Sequence, residues 1–246
     1  MQARSSGRAL DILDLPTGPD VGRAVRHEVR ELAVDTIKPL PAIASIVRRA
    51  VARVAPLVKR RVATIPVTLA RRGPQYPLGN LIADAQRWAG KGDVAIMNNG
   101  GIRTELRAGE ATYGSLFEVQ PFGNTLYSLT MTGEELRGLL EEMLGKSPVN
   151  DHVSGLTITY DPSKQKGSRI VSATMADGTP LSDTRDYNVI MNDFLATGGE
   201  GYNAGGRASA SRPLNIVDLD ALINYLRTLP APITAPAEIR IAPVTQ

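Results

Sequence analysis

Asn98-Asn99-Gly100-Gly101-Ile102-Arg103 is the stretch on which the reading of this chain turns. It follows Val94-Ala95-Ile96-Met97, a short apolar run that predicts a buried strand. The paired glycines let the backbone turn tightly and approach a ligand, because neither carries a side chain. Asn98 and Asn99 put amide donors and acceptors at the strand end. Arg103 adds a planar, permanently charged fork suited to phosphate or carboxylate. Open α/β sheets hold anionic ligands at such strand ends. Taken alone, the hexamer fits a plain polar turn equally well, so its neighbours decide.

Upstream, Leu81 to Ala89 predicts a helix with Asn80 as N-cap, Gly90 as stop, and Leu81, Ile82, Ala85, Trp88 and Ala89 as its buried face. Val62 to Leu69 predicts a strand that ends in Ala70-Arg71-Arg72-Gly73-Pro74, a turn with two guanidinium groups. A further helix is expected from about Ala42 to Lys59, with Ile43, Ile46, Val47, Ala50, Val54 and Leu57 at helical spacing. Its basic side reads as a solvated face rather than a nucleic-acid arm, since no aromatic residues are interleaved for base stacking. Residues 1–33 read as a poorly ordered leader or linker remnant, and Val34-Asp35-Thr36 as a short strand opening a domain over 34–246.

Downstream, Thr112-Tyr113-Gly114 opens a helical turn through Phe117, and Gln120-Pro121-Phe122-Gly123-Asn124 forms a rigid turn. That turn can hold Phe122 outward, but exposing a Phe costs about 1.5–3 kcal/mol unless a planar group covers it. By itself the motif slightly favours inward packing. Leu126 to Met131 predicts a strand, and Thr132-Gly133-Glu134-Glu135 is a capping box opening a helix to Leu144. His152 sits in what reads as a polar turn. Strands are expected at Leu156–Tyr160, Arg169–Met175 and Tyr187–Met191. The last ends in Asn192-Asp193-Phe194-Leu195-Ala196-Thr197-Gly198-Gly199-Glu200-Gly201-Tyr202, which repeats the logic of the first stretch. Here Glu200 lies between glycines, where a carboxylate can accept from sugar hydroxyls. A helix over Val217–Leu229 and a strand at Glu238–Ile241 complete a mixed-sheet α/β (α+β) chain.

Composition narrows the chemistry. With 28 basic against 25 acidic residues, the 246-residue chain shows no charge excess that argues for nucleic acid. It has no cysteine, which removes disulfides, thiol nucleophiles and thiolate metal sites. No run is long and apolar enough to span a bilayer, and Met1 to Gly18 lacks the apolar core of a signal peptide. There are two histidines, His27 and His152, without metal-ligand spacing. Neither a Gly-x-Ser-x-Gly elbow nor a Gly-x-x-x-x-Gly-Lys-Ser/Thr loop is present. What remains is recognition: guanidinium groups for phosphate, two phenyl rings for a flat ring, amides and a carboxylate for hydroxyls. That set fits a nucleotide.

Several motifs in register then carry a resemblance. Gly79-Asn80-Leu81-Ile82-Ala83-Asp84-Ala85, the Asn98–Arg103 stretch, Thr112-Tyr113-Gly114, Gln120-Pro121-Phe122-Gly123-Asn124, Met131-Thr132-Gly133 and the Asn192–Tyr202 stretch resemble the C-terminal domain of the 5'-nucleotidase / UDP-sugar hydrolase family. The likeness runs from about Val34 to Glu200. It implies a four-layer α/β/β/α fold with mixed sheets, and Phe122 and Phe194 sandwiching a nucleobase. It also implies Arg103 with Arg72 or Arg71 on the phosphate end, Asn98 on the nucleoside and Asn124 on the base edge. Glu200 stands where the family usually has Asp on the ribose, one methylene longer.

The family's N-terminal metallophosphatase domain, with its divalent metal pair, has no counterpart among these motifs. The expectation is therefore no catalytic residue, metal or cofactor in this chain, nucleotide or nucleoside binding, and no hydrolysis by the chain alone. A metallophosphatase domain in cis or trans is the implied partner, and neither nucleic acid nor membrane is. A stand-alone binding protein for another flat ligand stays open. Family members are commonly periplasmic or exported, but the sequence itself does not give the compartment.

Overall fold

In the computed structural model, the structure describes residues 9–15, 26–32 and 37–244. The chain divides into two compact units, 1–54 and 55–246. In the first, β1 (Ala9–Asp14) and β2 (Arg26–Glu31) form an antiparallel hairpin, Leu10 opposite Arg30 and Ile12 opposite Glu28. Its short period-2 pattern is diluted by charge, so sequence reading finds no strand there. Val34-Asp35-Thr36 lies outside the described residues. Helix α1 (Pro41–Val58) matches the expected span, and none of its residues is buried.

The second unit begins with β3 (Arg61–Ile65), shorter than expected, because beyond Ile65 the chain makes only an isolated bridge, Leu69 to Leu106. Helix α2 (Pro77–Gly90) starts earlier than its sequence suggests. Pro77 occupies its first turn, where the missing N–H is not needed, and Tyr76 stands at the N-cap. Asn80 is therefore not a cap. It is buried inside the helix and donates from Nδ2 to the carbonyls of Glu238 (2.8 Å) and Pro236 (3.3 Å), fastening the C-terminal tail. Lys91, in left-handed conformation at φ 51°, ends the helix, not Gly90. Trp88 is 45% exposed and tilted against Tyr225 rather than in the core.

After α2 come β4 (Val94–Met97), a 3₁₀ turn at Asn99–Gly101, β5 (Gly109–Thr112, unread in the sequence), α3 (Tyr113–Val119), β6 (Thr125–Thr132) and α4 (Gly133–Met143). The α4 capping box forms as its sequence predicts: Thr132 Oγ1 accepts from Glu135 N–H (3.3 Å) and the Glu135 carboxylate from Thr132 N–H (2.7 Å). Then follow β7 (His152–Ser154), β8 (Leu156–Tyr160), β9 (Ile170–Met175), β10 (Asp186–Asn192), the short α5 (Asp193–Ala196) and α6 (Ala204–Arg207), β11 (Ala210–Val217), α7 (Asp218–Thr228) and β12 (Ile241–Pro243). His152 is thus a fully buried strand residue, not a turn residue.

The central sheet runs β11-β6-β10-β4-β7, with β10 and β4 parallel and the other pairs antiparallel. A smaller sheet, β12-β8-β9, and the pair β3-β5 complete it. Side chains alternate across the central sheet as strand geometry requires. Val94, Ile96, Val189 and Met191 join α4, β8 and β9 in one core, with Leu136, Leu140, Ile158 and Met175. Ala95, Ile190 and Leu126 face the other way, with Ala221 of α7. Helices α2, α3 and α7 share a further core through Leu78, Leu81, Leu116, Leu222 and Leu226. The fold is the mixed α/β arrangement with mixed sheets expected from the sequence. Among the described residues, no helix is long and apolar enough to cross a membrane.

Candidate functional site

The parallel pairing of β4 and β10 places the two motif-bearing strand ends side by side, with Val189 opposite Val94 and Ile190 opposite Ala95. Strand β6 runs the other way, and its start at Leu126 pairs with Asn192. The turn that precedes β6, carrying Phe122 and Asn124, is therefore delivered to the same edge as the turns that follow β4 and β10. Ligand crevices of open α/β sheets form at the carboxyl ends of parallel strands in this way.

At that edge Asn98, Gly100, Gly101, Phe122, Asn124, Phe194 and Glu200 line one cleft of about 230 Å³. Phe122 is 57% exposed and Phe194 47%, so neither packs into the interior. The inward packing that the Gln120–Asn124 motif favoured on its own is overturned, because Pro121 and the left-handed Gly123 (φ 64°) carry the ring out at the end of α3. Asp193 ties the two aromatic segments together: its Oδ2 accepts from Thr125 N–H (3.2 Å). Gly199 packs beneath Phe194, where a Cβ would lie 2.6 Å from the ring and 2.4 Å from the Phe194 carbonyl oxygen.

A chain of hydrogen bonds orients the polar wall. Asn192 caps α5 by accepting from Leu195 N–H (2.9 Å) and donates from Nδ2 to Asn98 Oδ1 (3.0 Å). Asn98 in turn donates to Glu200 Oε1 (3.3 Å), and Lys146 Nζ donates to Glu200 Oε2 (3.0 Å). The Lys146 hydrogen bond holds the Glu200 carboxyl below its ordinary range against partial desolvation. It is therefore ionised at neutral pH.

Behind this wall, Asp151 accepts from the Tyr202 hydroxyl, from Asn99 N–H (3.4 Å) and from Lys146 (3.5 Å). Burial pushes the Asp151 carboxyl up, and these partners pull it back. The Tyr202 hydroxyl is pushed up by burial and by the neighbouring Asp151 charge. The Tyr76 hydroxyl donates to Asn99 Oδ1.

The guanidinium groups divide. Arg103 donates to the Gly100 carbonyl (2.9 Å) and lies 5.6 Å over the Phe122 ring, at the rim of the cleft. Arg71 donates to the Asn99 carbonyl (3.3 Å). The side chain of Arg72 is exposed and makes no hydrogen bond or ion pair among the described residues. Sequence reasoning missed Lys146, Asp151 and Tyr76, and treated Asn192 and Tyr202 only as part of a motif. Tyr202 closes the second glycine stretch, but nothing in local spacing marks Lys146 or Asp151. Among the described residues, no three His, Cys, Asp or Glu side chains converge as a metal site.

Residues 61–207 match the family described as 5'-nucleotidase, C-terminal domain. The chain is 32% identical over 250 residues, 98% of its length, to the endonuclease YhcR of Bacillus subtilis, covering 20% of that protein. It is also 32% identical over 156 residues to a 5'-nucleotidase of Vibrio cholerae, covering 62% of this chain and 27% of that one. The solved structure of a 5'-nucleotidase precursor from Thermus thermophilus superposes with a TM-score of 0.77 and 27% identity, over all of this chain and 52% of that one. The fold and these matches place the chain in the 5'-nucleotidase family, as its C-terminal domain. It spans 20% of the YhcR protein, 27% of the Vibrio cholerae protein and 52% of the Thermus thermophilus chain, so it is well under two thirds of the length of each.

Proposed function

We propose that this chain is the nucleotide-recognition domain of a 5'-nucleotidase-type phosphohydrolase. The observation that carries the reading is that two half-exposed phenyl rings from distant segments, Phe122 and Phe194, line one cleft whose remaining wall is amide and carboxylate. A nucleobase between the rings covers the apolar area that water otherwise wets, and such stacking contributes about 1–3 kcal/mol per base. Asn124 addresses the base edge. Glu200, ionised and oriented by Asn98 and Lys146, accepts from the ribose hydroxyls, its extra methylene taken up by the left-handed backbone at that residue (φ 60°). Arg103 receives the phosphate end. Its hydrogen bond to Asn99 makes Arg71 the better second guanidinium than Arg72.

On this reading phosphoryl transfer falls to a metallophosphatase domain, joined to this one in cis or acting in trans. A divalent metal pair held by that domain would supply the nucleophilic water and charge neutralisation. This chain's part is to bind and orient.

Calorimetric titration of the full chain with adenosine and AMP tests the reading. Phe122→Ala and Phe194→Ala should each weaken adenosine binding about tenfold. Arg103→Gln should weaken AMP and leave adenosine unchanged. Adenosine affinity that survives both Phe substitutions would overturn the proposal.

A further inference from the structure

The carboxylate of Glu200 has two sides. Its Oε1 faces Asn98 in the aromatic cleft, and its Oε2 faces Lys146 in a second cleft of about 320 Å³. Lys146, Lys166 and Arg169 line this second cleft together with Glu142, Glu200 and Tyr202. The acidic residues there are already matched. Arg207 holds Glu142 at 2.6 Å, and Lys146 holds Glu200 at 3.0 Å while lying over the Tyr202 ring. The other two cations are not matched. The side chains of Lys166 and Arg169 make no hydrogen bond or ion pair among the described residues, and Arg169 Nη1 is buried without an acceptor. Buried charged donors are ordinarily satisfied, so an unfilled one points to a ligand that supplies the acceptor.

The segment carrying these cations is fixed in place. Glu141, itself buried on α4, accepts from the backbone N–H of Gly167 (3.1 Å) and of Ile170 (2.7 Å). Asp161 N–H donates to the Arg169 carbonyl across the base of the loop (2.8 Å). A buried carboxylate thus clamps the β8–β9 connection, and with it the two free cations, beside the carboxylate that the proposed function assigns to the ribose.

We propose that this second cleft is an anion subsite, which takes a phosphoryl group carried on the 2′ or 3′ oxygen of the nucleoside held between Phe122 and Phe194. The inference rests on that reading of the aromatic cleft. A sugar hydroxyl directed at Glu200 carries any phosphoryl substituent past the carboxylate, towards Lys146. Lys166 and Arg169 then supply the charge that Lys146, already engaged, does not. The substrate class is accordingly nucleotides phosphorylated on the ribose diol side, in addition to the 5' end addressed by Arg103.

The test compares adenosine, adenosine 2'-phosphate and adenosine 3'-phosphate by calorimetry at low salt, on the full chain and on Lys166→Gln and Arg169→Gln. At least one of the two phosphates should bind five-fold or more tightly than adenosine, and added salt should erode the gain. Arg169→Gln should abolish the gain and Lys166→Gln reduce it, with adenosine affinity unchanged in both. Lys166 is exposed, so its variant reports even where Arg169→Gln fails to fold. If adenosine binds but neither phosphate binds more tightly, or if the gain survives both substitutions, the subsite is refuted and the aromatic cleft stands. If adenosine itself does not bind the unsubstituted chain, both readings fall.

Discussion

Glu200 and Gly199 show how single residues set this site. Glu200 holds φ at 60°, a left-handed conformation that costs an L-residue about 1–2 kcal/mol. The bonds from Asn98 and Lys146 offset that cost and fix the carboxylate between two clefts. Gly199 is constrained by proximity instead. A methyl group there meets both the Phe194 carbonyl and its ring, and the carbonyl cannot swing aside as a flexible side chain would. Gly199→Ala should therefore displace the ring and weaken adenosine about as much as Phe194→Ala does. Gly201→Ala serves as the control. Its φ of 79° strains an alanine, but nothing lies within 4 Å of the added carbon, so stability should fall while adenosine affinity is kept. Equal affinities for the Gly199 variant and the unsubstituted chain would show that the ring's position does not matter.

At the scale of elements, the reciprocal capping box was legible in the sequence, whereas the single-residue caps read for α2, Asn80 and Gly90, were not the ones used. The Thr132-x-x-Glu135 box forms as read, and Thr112 caps α3 with Ser115 in the same reciprocal manner. Thr132→Ala should lower stability by about 1 kcal/mol, seen as a fall of a few degrees in Tm, and Thr132→Ser should restore most of it. An unchanged Tm would mean the packing of Leu136, Leu139 and Leu140 holds α4 without its cap. Less legible were elements whose partners lie far along the chain. β5 has a single apolar residue, Ala111, and β11 is interrupted by Pro213 and the left-handed Asn215 (φ 57°), so neither announces itself, and they exist because β3 and β6 offer them edges. The tail strand is placed by a similar long-range device. Arg240 forms a bidentate pair with Asp84 of α2 (2.6 and 2.9 Å), setting the chain for β12 to run parallel to β8.

For the whole molecule, buried ionisable groups shape stability against pH. Burial, with the charges of Arg240 and Arg71, pushes His152 down to about 3, and neither ring nitrogen has a partner among the described residues. In the unfolded chain the imidazole titrates near 6.5, so below that pH the unfolded state binds a proton the folded state refuses. Stability from this group is present above about pH 6.5 and drains away as the pH falls towards 3. Asp218, pushed up to about 7 by burial, works in the opposite sense and stabilises the fold as pH drops. The comparison of variant with wild type isolates the histidine. Relative to wild type, His152→Phe should gain roughly 2–3 kcal/mol between pH 7 and about pH 4.5. Parallel unfolding curves for the two proteins across that range would rule out a buried neutral histidine.

The sequence by itself determined the family, the mixed α/β class and the helices α1, α4 and α7. Those signals are local: glycine pairs, capping boxes and apolar periods act within a few positions of one another. The tertiary structure alone decided that Phe122 faces outward, that His152 is buried in a strand, and that Lys146 and Asp151 stand behind the cleft. It also set Lys166 and Arg169 beside Glu200. Each of these depends on the parallel register of β4 with β10 and the antiparallel register of β6, which join segments far apart in the chain. A side chain's surroundings there are set by pairing across the sheet, and no window of neighbouring residues contains that information.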